Sequence, residues 1–263
     1  MSKVRRMNHI FRKDKRTFIV AMEHGSNMNV LPYLKEPGHI ISELAENGVD
    51  AFLTTVGLME KFGENFGKAG CILRVDGGYS MLGEKNKPLS RVYNVEDGLR
   101  FGADGVICMH FPGSKWEEVY TQALAENISA GEKWGMPVVA EALPNGFEKG
   151  PAGHTKEGLL FACRMAAEMG ADIIKTKYTG DTESFKELVD SVYVPVVILG
   201  GDKEIEPKVL FTEIREALDA GAAGVAMGRN IWRHKTPGKL AKAISALIHD
   251  DVTVEEALII FNN

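Results

Sequence analysis

From Thr17 onward the chain repeats one pattern: a short apolar run rich in β-branched residues, then a segment with apolar positions at helical spacing, then a glycine turn. Eight runs are predicted strands. They are TFIVAM (17–22), DAFLTTV (50–56), CILRVDG (71–77), GVICMHF (105–111), PVVAEAL (137–143), DIIKTKY (172–178), PVVILGG (195–201) and GVAMGRN (224–230). Their apolar character is nearly continuous, as expected of strands covered on both faces of a parallel sheet. Between most of them lie predicted helices. Pro37 opens one that runs through Ile40, Ile41 and Leu44 and stops near Gly48. Others are predicted over 116–134, 155–169, 182–190, 208–220 and 236–249. Units beginning at Gly102, Gly170 and Gly221 stop helices just before strands.

A helix at each crossover demands right-handed βαβ units. Eight of them in this length predict an α/β fold, a single-domain closed (β/α)8 TIM barrel over residues 17–263, preceded by a basic extension over 1–16. An open doubly wound sheet uses the same pattern and is the alternative. Two irregular stretches, 77–94 and 144–154, follow the third and fifth strands and are expected either to cover a substrate or to be tolerated surface insertions.

Composition narrows this little. The chain has 263 residues, 44% of them hydrophobic, enough for one large core. A net charge of −5 leaves no basic footprint for nucleic acid. Cys71, Cys108 and Cys163 are an odd, widely spaced set with no metal-ligand spacing, so no metal and no cofactor are expected. The basic N-terminus lacks the apolar stretch of a signal peptide, and no run reaches membrane-spanning length. A cytoplasmic protein with no membrane partner is expected.

In a barrel of this kind, chemistry gathers at the C-terminal strand ends. Here those ends carry Glu23 with His24, Arg74 with Asp76, His110, Glu141, and Lys175 with Lys177. The last two strands end in Gly200-Gly201 and Gly228-Arg229. Lys175 closes an apolar run, and Lys177 follows on the same strand face. An apolar wall and a second cation favour a neutral amine, the form that attacks a carbonyl. Lys175 is therefore the candidate Schiff-base nucleophile; two lysines snorkelling at a strand end is the ordinary alternative. The paired glycine motifs, with Arg229 and a short helix after Gly228, are expected to hold a phosphate. Glu23 is expected to handle protons or else to pair with a lysine. Glu141, a carboxylate in an apolar strand, needs a partner or a task. His110 is expected either to contact substrate oxygen or to be a satisfied structural histidine. Arg74 and Asp76 are read as pairing with each other.

The AMEHG, ADIIKTKYTGD, VVILGGDK and GAAGVAMGRNIW segments resemble the archaeal-type (DhnA-like) class I fructose-bisphosphate aldolase family. That family also contains 2-amino-3,7-dideoxy-D-threo-hept-6-ulosonate synthase and the autoinducer-2 pathway thiolase. The resemblance covers nearly the whole chain from Thr17 and is most specific over 171–232. It implies a metal-independent lyase in which Lys175 forms a Schiff base with a phosphorylated ketose or ketone, fructose 1,6-bisphosphate above all. It places the phosphate on Gly200, Gly201, Gly228 and Arg229, and suggests a homo-oligomer. Lys177 is expected to help bind substrate.

Two departures bear on the reaction. Glu23-His24-Gly25 stands where similar members carry Asp-His-Gly, and Leu143 stands where the aldolase and the synthase carry a proton-transferring tyrosine. Leucine cannot move a proton. Either Glu141, two residues back on the same face, takes over acid/base work, or the reaction differs. Transaldolase- or thiolase-like transfer is the alternative reaction, and a non-catalytic sugar-phosphate binder is the alternative class.

Overall fold

The structure is a computed structural model that describes residues 1–27, 34–77, 80, 82–83, 87–147, 149–201 and 205–263. Eight parallel strands close into a barrel in chain order, the first pairing with both the second and the last. They are Thr17–Ala21, Ala51–Thr54, Gly70–Arg74, Gly105–His110, Val138–Ala142, Ile173–Thr176, Val196–Leu199 and Gly224–Met227. This is the closed (β/α)8 barrel, not the open sheet.

Every strand position is buried or nearly so because its two faces meet two different cores. Ile19, Leu53, Ile72, Ile107, Val139, Ile173, Val197 and Ala226 fill the barrel interior. The residues between them, such as Phe18, Phe52, Cys108 and Ile174, pack outward under the helices. The helices predicted after Pro37 and over 116–134, 155–169, 182–190, 208–220 and 236–249 are present within a residue or two. Gly102, Gly170 and Gly221 sit at φ +77°, +103° and +100°, the left-handed conformation that ends a helix.

Among the described residues, four helices of six residues or more and a ribbon were not anticipated. Val56–Phe62, Val95–Arg100 and Val254–Asn262 each follow a side-chain cap, from Thr55, Asn94 and Thr253 respectively. The latter two are complete capping boxes, closed by Asp97 and Glu256. Asp76–Gly77 pairs antiparallel with Ser90–Arg91, so the ribbon joins the end of the run read as the third strand to the stretch read as irregular. Residues 78, 79, 81 and 84–86 of that stretch, and residue 148 of the other, lie outside the described residues, as does Asp202-Lys203 of the VVILGGDK segment.

The fourth helix, Lys3–Ile10, lies within the segment read as a basic extension. Its last residue, Ile10, is fully buried and joins the barrel interior together with Phe11. Polar contacts fix it there. Arg6 donates to the Ala103 carbonyl, His9 Nδ1 lies 2.8 Å from Asp104 Oδ1, and Thr17 Oγ1 donates to the Ile10 carbonyl at 2.5 Å. The segment is the floor of the barrel. Ile10→Ala is expected to lower stability by about 2–5 kcal/mol, the usual cost of emptying a well-packed site. Chemical denaturation checks this; an unchanged midpoint would mean that the floor is dispensable.

Candidate active site

The interior alternation decides which side chains point into the mouth of the barrel. Two residues beyond Ala21, Ile72, Ile107, Val139 and Ile173 come Glu23, Arg74, Met109, Glu141 and Lys175. The innermost layer is wholly apolar, and the layer above it carries four charged residues. Register brings neighbours together, since Glu141 lies beside Met109 on one strand and beside Lys175 on the other.

All four charged groups are about 5% exposed. Taking charges out of water costs several kcal/mol each unless they are paired, and here they are. Lys175 Nζ lies 3.1 Å from Glu141 Oε1. Arg74 Nη2 donates to Glu141 Oε2 at 2.6 Å. The same guanidinium lies 3.6 Å from Glu23 Oε1 and 3.4 Å from Asp76 Oδ1. Asp76 Oδ2 accepts from the Met109 N–H at 2.6 Å.

These contacts set the charge states. Burial alone would raise the Glu141 carboxyl, but the Lys175 ammonium and the Arg74 guanidinium outweigh it and hold Glu141 down at about 2. Glu141 is therefore a carboxylate at neutral pH: an acceptor in the resting site, not an acid. Burial raises Asp76 against the pull of Arg74. Burial also lowers His24, against the opposing field of Glu23, so its imidazole is held towards the neutral form. His24 stands edge-on to Trp232, whose indole N–H donates to the Ala21 carbonyl at 2.9 Å.

The two lysines part company. Lys175 meets a carboxylate rather than the second lysine expected beside it. Lys177 lies beyond the strand end at Thr176, in the fields of His154 and Glu213. His110 faces the other way. Its strand points Met109 at Arg74 and Cys108 outward towards Asn127, so alternation puts His110 on the helix-facing side. It is fully buried, neither ring nitrogen has a hydrogen-bond partner among the described residues, and burial depresses it to about 4. Leu143 is buried above Glu141.

Across the mouth, Gly228 precedes the short helix Arg229–Trp232. A Cβ on Gly228 would fall 2.3 Å from the Ala21 carbonyl oxygen and 2.9 Å from His24 Cε1, so close backbone approach already requires glycine there. A Cβ on Gly200 would meet Asn230 and Met227, whereas a Cβ on Gly201 would meet nothing within 4 Å among the described residues. Burial lowers Arg229, with Arg233 adding to the effect and Glu23 opposing it. Arg229, directly after Gly228, thus lies within the field of Glu23. Among the described residues no group of three or more His, Cys, Asp or Glu could hold a metal ion, and no helix is long and apolar enough to cross a membrane.

Arg74 is the residue that the sequence undervalued. Its pairing with Asp76 is present, but so are its contacts to Glu141 and Glu23. The available signal was alternation, since Arg74 continues the inward series from Ile72.

Comparison with known proteins gives a consistent picture. Residues 17–234 match the family described as DeoC/LacD family aldolase. The 2-amino-3,7-dideoxy-D-threo-hept-6-ulosonate synthase of Halobacterium salinarum is 40% identical over 256 residues, covering 97% of this chain and 95% of that protein. The 2-amino-4,5-dihydroxy-6-oxo-7-(phosphonooxy)heptanoate synthase of Streptomyces griseus is 30% identical, covering 90% of this chain and 86% of the relative. Among solved structures, an archaeal fructose-1,6-bisphosphate aldolase whose catalytic lysine is covalently bound to the carbinolamine intermediate superposes with a TM-score of 0.83. The two are 28% identical, and the match covers 94% of this chain and 99% of that one.

Proposed function

The chain belongs to the DeoC/LacD family of aldolases, and from that premise we propose that it is a class I aldolase whose Lys175 forms a Schiff base with a phosphorylated ketose or ketone. The observation that carries this reading is Lys175 itself. It is a buried lysine at the C-terminal end of the sixth strand, with its Nζ 3.1 Å from a carboxylate able to take its proton.

Lys175 gives a proton to Glu141, an uphill step out of the ion pair that attack on the ketone draws forward. The freed Nζ lone pair attacks the ketone carbon, and the carbonyl oxygen takes up a proton. Loss of water from this carbinolamine gives the iminium. A carboxylate then removes the proton from the hydroxyl two carbons from the iminium carbon. The carbon–carbon bond breaks, its electron pair flows into the iminium to give an enamine, and an aldehyde leaves. Protonation of the enamine and addition of water release the ketone and restore Lys175. Synthesis runs the same steps backwards. Glu141 and Glu23 are the carboxylates in reach of this chemistry, and Leu143 offers none.

The phosphate is assigned to Gly200, Gly201, Gly228 and Arg229. Arg229→Ala is expected to raise KM for a phosphorylated substrate at least about tenfold more than for its unphosphorylated analogue, because the lost contact is to a group that does not react. Equal effects on both would place the phosphate elsewhere.

Fructose 1,6-bisphosphate is the first substrate to test. A second reading has its own observation: the 40% identical relative is named for making a 2-amino-3,7-dideoxyheptulosonate. Such a compound carries a hydroxyl at C4 and a ketone at C6, so its C4–C5 bond is one that an aldolase forms. Leu143, at the position of the missing tyrosine, also favours a reaction other than standard sugar-bisphosphate cleavage, acyl transfer included. Borohydride reduction in the presence of fructose 1,6-bisphosphate or dihydroxyacetone phosphate tests the common core. The expected result is a covalent mass increase. Absence of adduct with either ketone would leave the non-catalytic binder as the better reading.

A further inference from the structure

Resting on the Lys175 reading, we propose that Arg74 is a positioning residue: its buried guanidinium holds Glu141 against Lys175 and at the same time reaches Glu23, so that two carboxylates from opposite sides of the barrel are fixed on one cation, Glu141 with its other oxygen on the Schiff-base nitrogen. The geometry is specific. Glu141 divides its two oxygens between two cations, Oε1 to Lys175 at 3.1 Å and Oε2 to Arg74 at 2.6 Å. Rotating its carboxylate away from Lys175 would break the shorter of these contacts. A planar guanidinium presents several donors in fixed directions, so one group can engage Glu141, Glu23 and Asp76 from the third strand, which a single ammonium cannot do in the same geometry. Met109 closes the fourth side, with its Sδ 4.0 Å from Nη2.

Arg74 has no route to solvent chemistry of its own. It is about 5% exposed, and its charge is firmly fixed. What it alters is Glu141. Burial pushes that carboxyl up, and two cations push it down to about 2. With only Lys175 left to oppose it, burial would raise the Glu141 carboxyl. A protonated Glu141 could no longer accept the lysine proton. Among the described residues, the charged groups that face Arg74 are Glu141, Asp76 and Glu23, with Lys175 beyond Glu141 and His24 beyond Glu23.

The test is the pH dependence of reductive trapping with dihydroxyacetone phosphate and cyanoborohydride. In Arg74→Met the acid limb of the trapping rate is expected to move up by about one to three pH units, the scale of an opposite charge at this range. Arg74→Lys, which keeps the charge, is expected to return the limb towards the wild-type position while trapping more slowly than wild type. A role confined to packing would reduce the amount of folded protein and leave the limb where it was; an unmoved limb in trapped Arg74→Met overturns the proposal. If Arg74→Met does not fold, the double variant Arg74→Met with Glu141→Met removes both partners of the pair, a far milder change than orphaning one. It is then compared with Glu141→Met alone. Equal trapping rates are expected if Arg74 acts through Glu141, and a further tenfold fall in the double variant overturns the assignment. A wild type that is not trapped at any pH removes the Lys175 reading, and this proposal with it.

Discussion

Lys175→Ala is expected to form no covalent adduct with a ketone under borohydride and to lose turnover by roughly 10⁴- to 10⁶-fold, the range for removal of a covalent nucleophile. Lys175→Arg should behave alike. Arginine keeps the positive charge opposite Glu141 but is not deprotonated in proteins, so it cannot become an imine. The pair of variants separates charge from chemistry: if the ion pair with Glu141 were all that mattered, arginine would retain activity. Lys177→Ala should weaken turnover without abolishing it, because Lys177 lies beyond the strand end among His154 and Glu213 and away from Glu141. Full trapping in Lys175→Ala would remove the assignment.

The second large effect is expected from Glu141→Gln. The amide keeps the size and polarity of the side chain but cannot take the lysine proton or the substrate hydroxyl proton. Turnover should fall by roughly 10²- to 10⁴-fold, the usual scale for loss of a general acid–base group, while borohydride trapping persists at a reduced rate. This variant also reads out in stability. The Glu141 carboxyl is depressed in the folded protein from 4.5 to about 2. A depressed group stabilises the fold at pH above its unfolded value and loses that contribution as pH falls through the folded one. The stability gap between wild type and Glu141→Gln should therefore be full at neutral pH and shrink between about pH 4.5 and pH 2. Denaturation across that window checks the sign; a gap that widens with acid would contradict the ion-pair geometry.

How much of this was legible in the sequence follows from the physics of each element. The barrel strands announced themselves because both faces are buried, which leaves long apolar runs with few competing readings. Helix ends at Gly102, Gly170 and Gly221 were legible because a left-handed residue is cheap only for glycine. The floor helix was hidden. Lys3–Ile10 is mostly basic and polar; Ile10 with Phe11 enters the interior, and Met7 packs against it. No local periodicity reveals a plug whose partners are eight strands scattered along the chain.

Three members of the buried charge network were legible, but their wiring was not. Strand-end position brought Glu23, Glu141 and Lys175 together on paper, and their side chains share one buried charge network. That Arg74 is its hub was not readable as a pairwise motif, because Arg74 and Glu141 are separated by 67 residues and meet only through the closure of the barrel. His110 illustrates the converse. It stands at a strand end like the others, but one residue out of phase with the inward series, and one residue reverses the face. Lys175 was read as a lysine pressed by a second cation; its neighbour is a carboxylate, and that changes how it is freed for attack.

The central claim is that one particular lysine carries the covalent chemistry. It is tested most directly by reducing the wild-type protein with borohydride in the presence of dihydroxyacetone phosphate, digesting it, and locating the modified residue by peptide mass spectrometry. The account predicts a single adduct on Lys175, in the peptide around Ile173–Thr176. An adduct on Lys177 or on another lysine, with Lys175 unmodified, would contradict it.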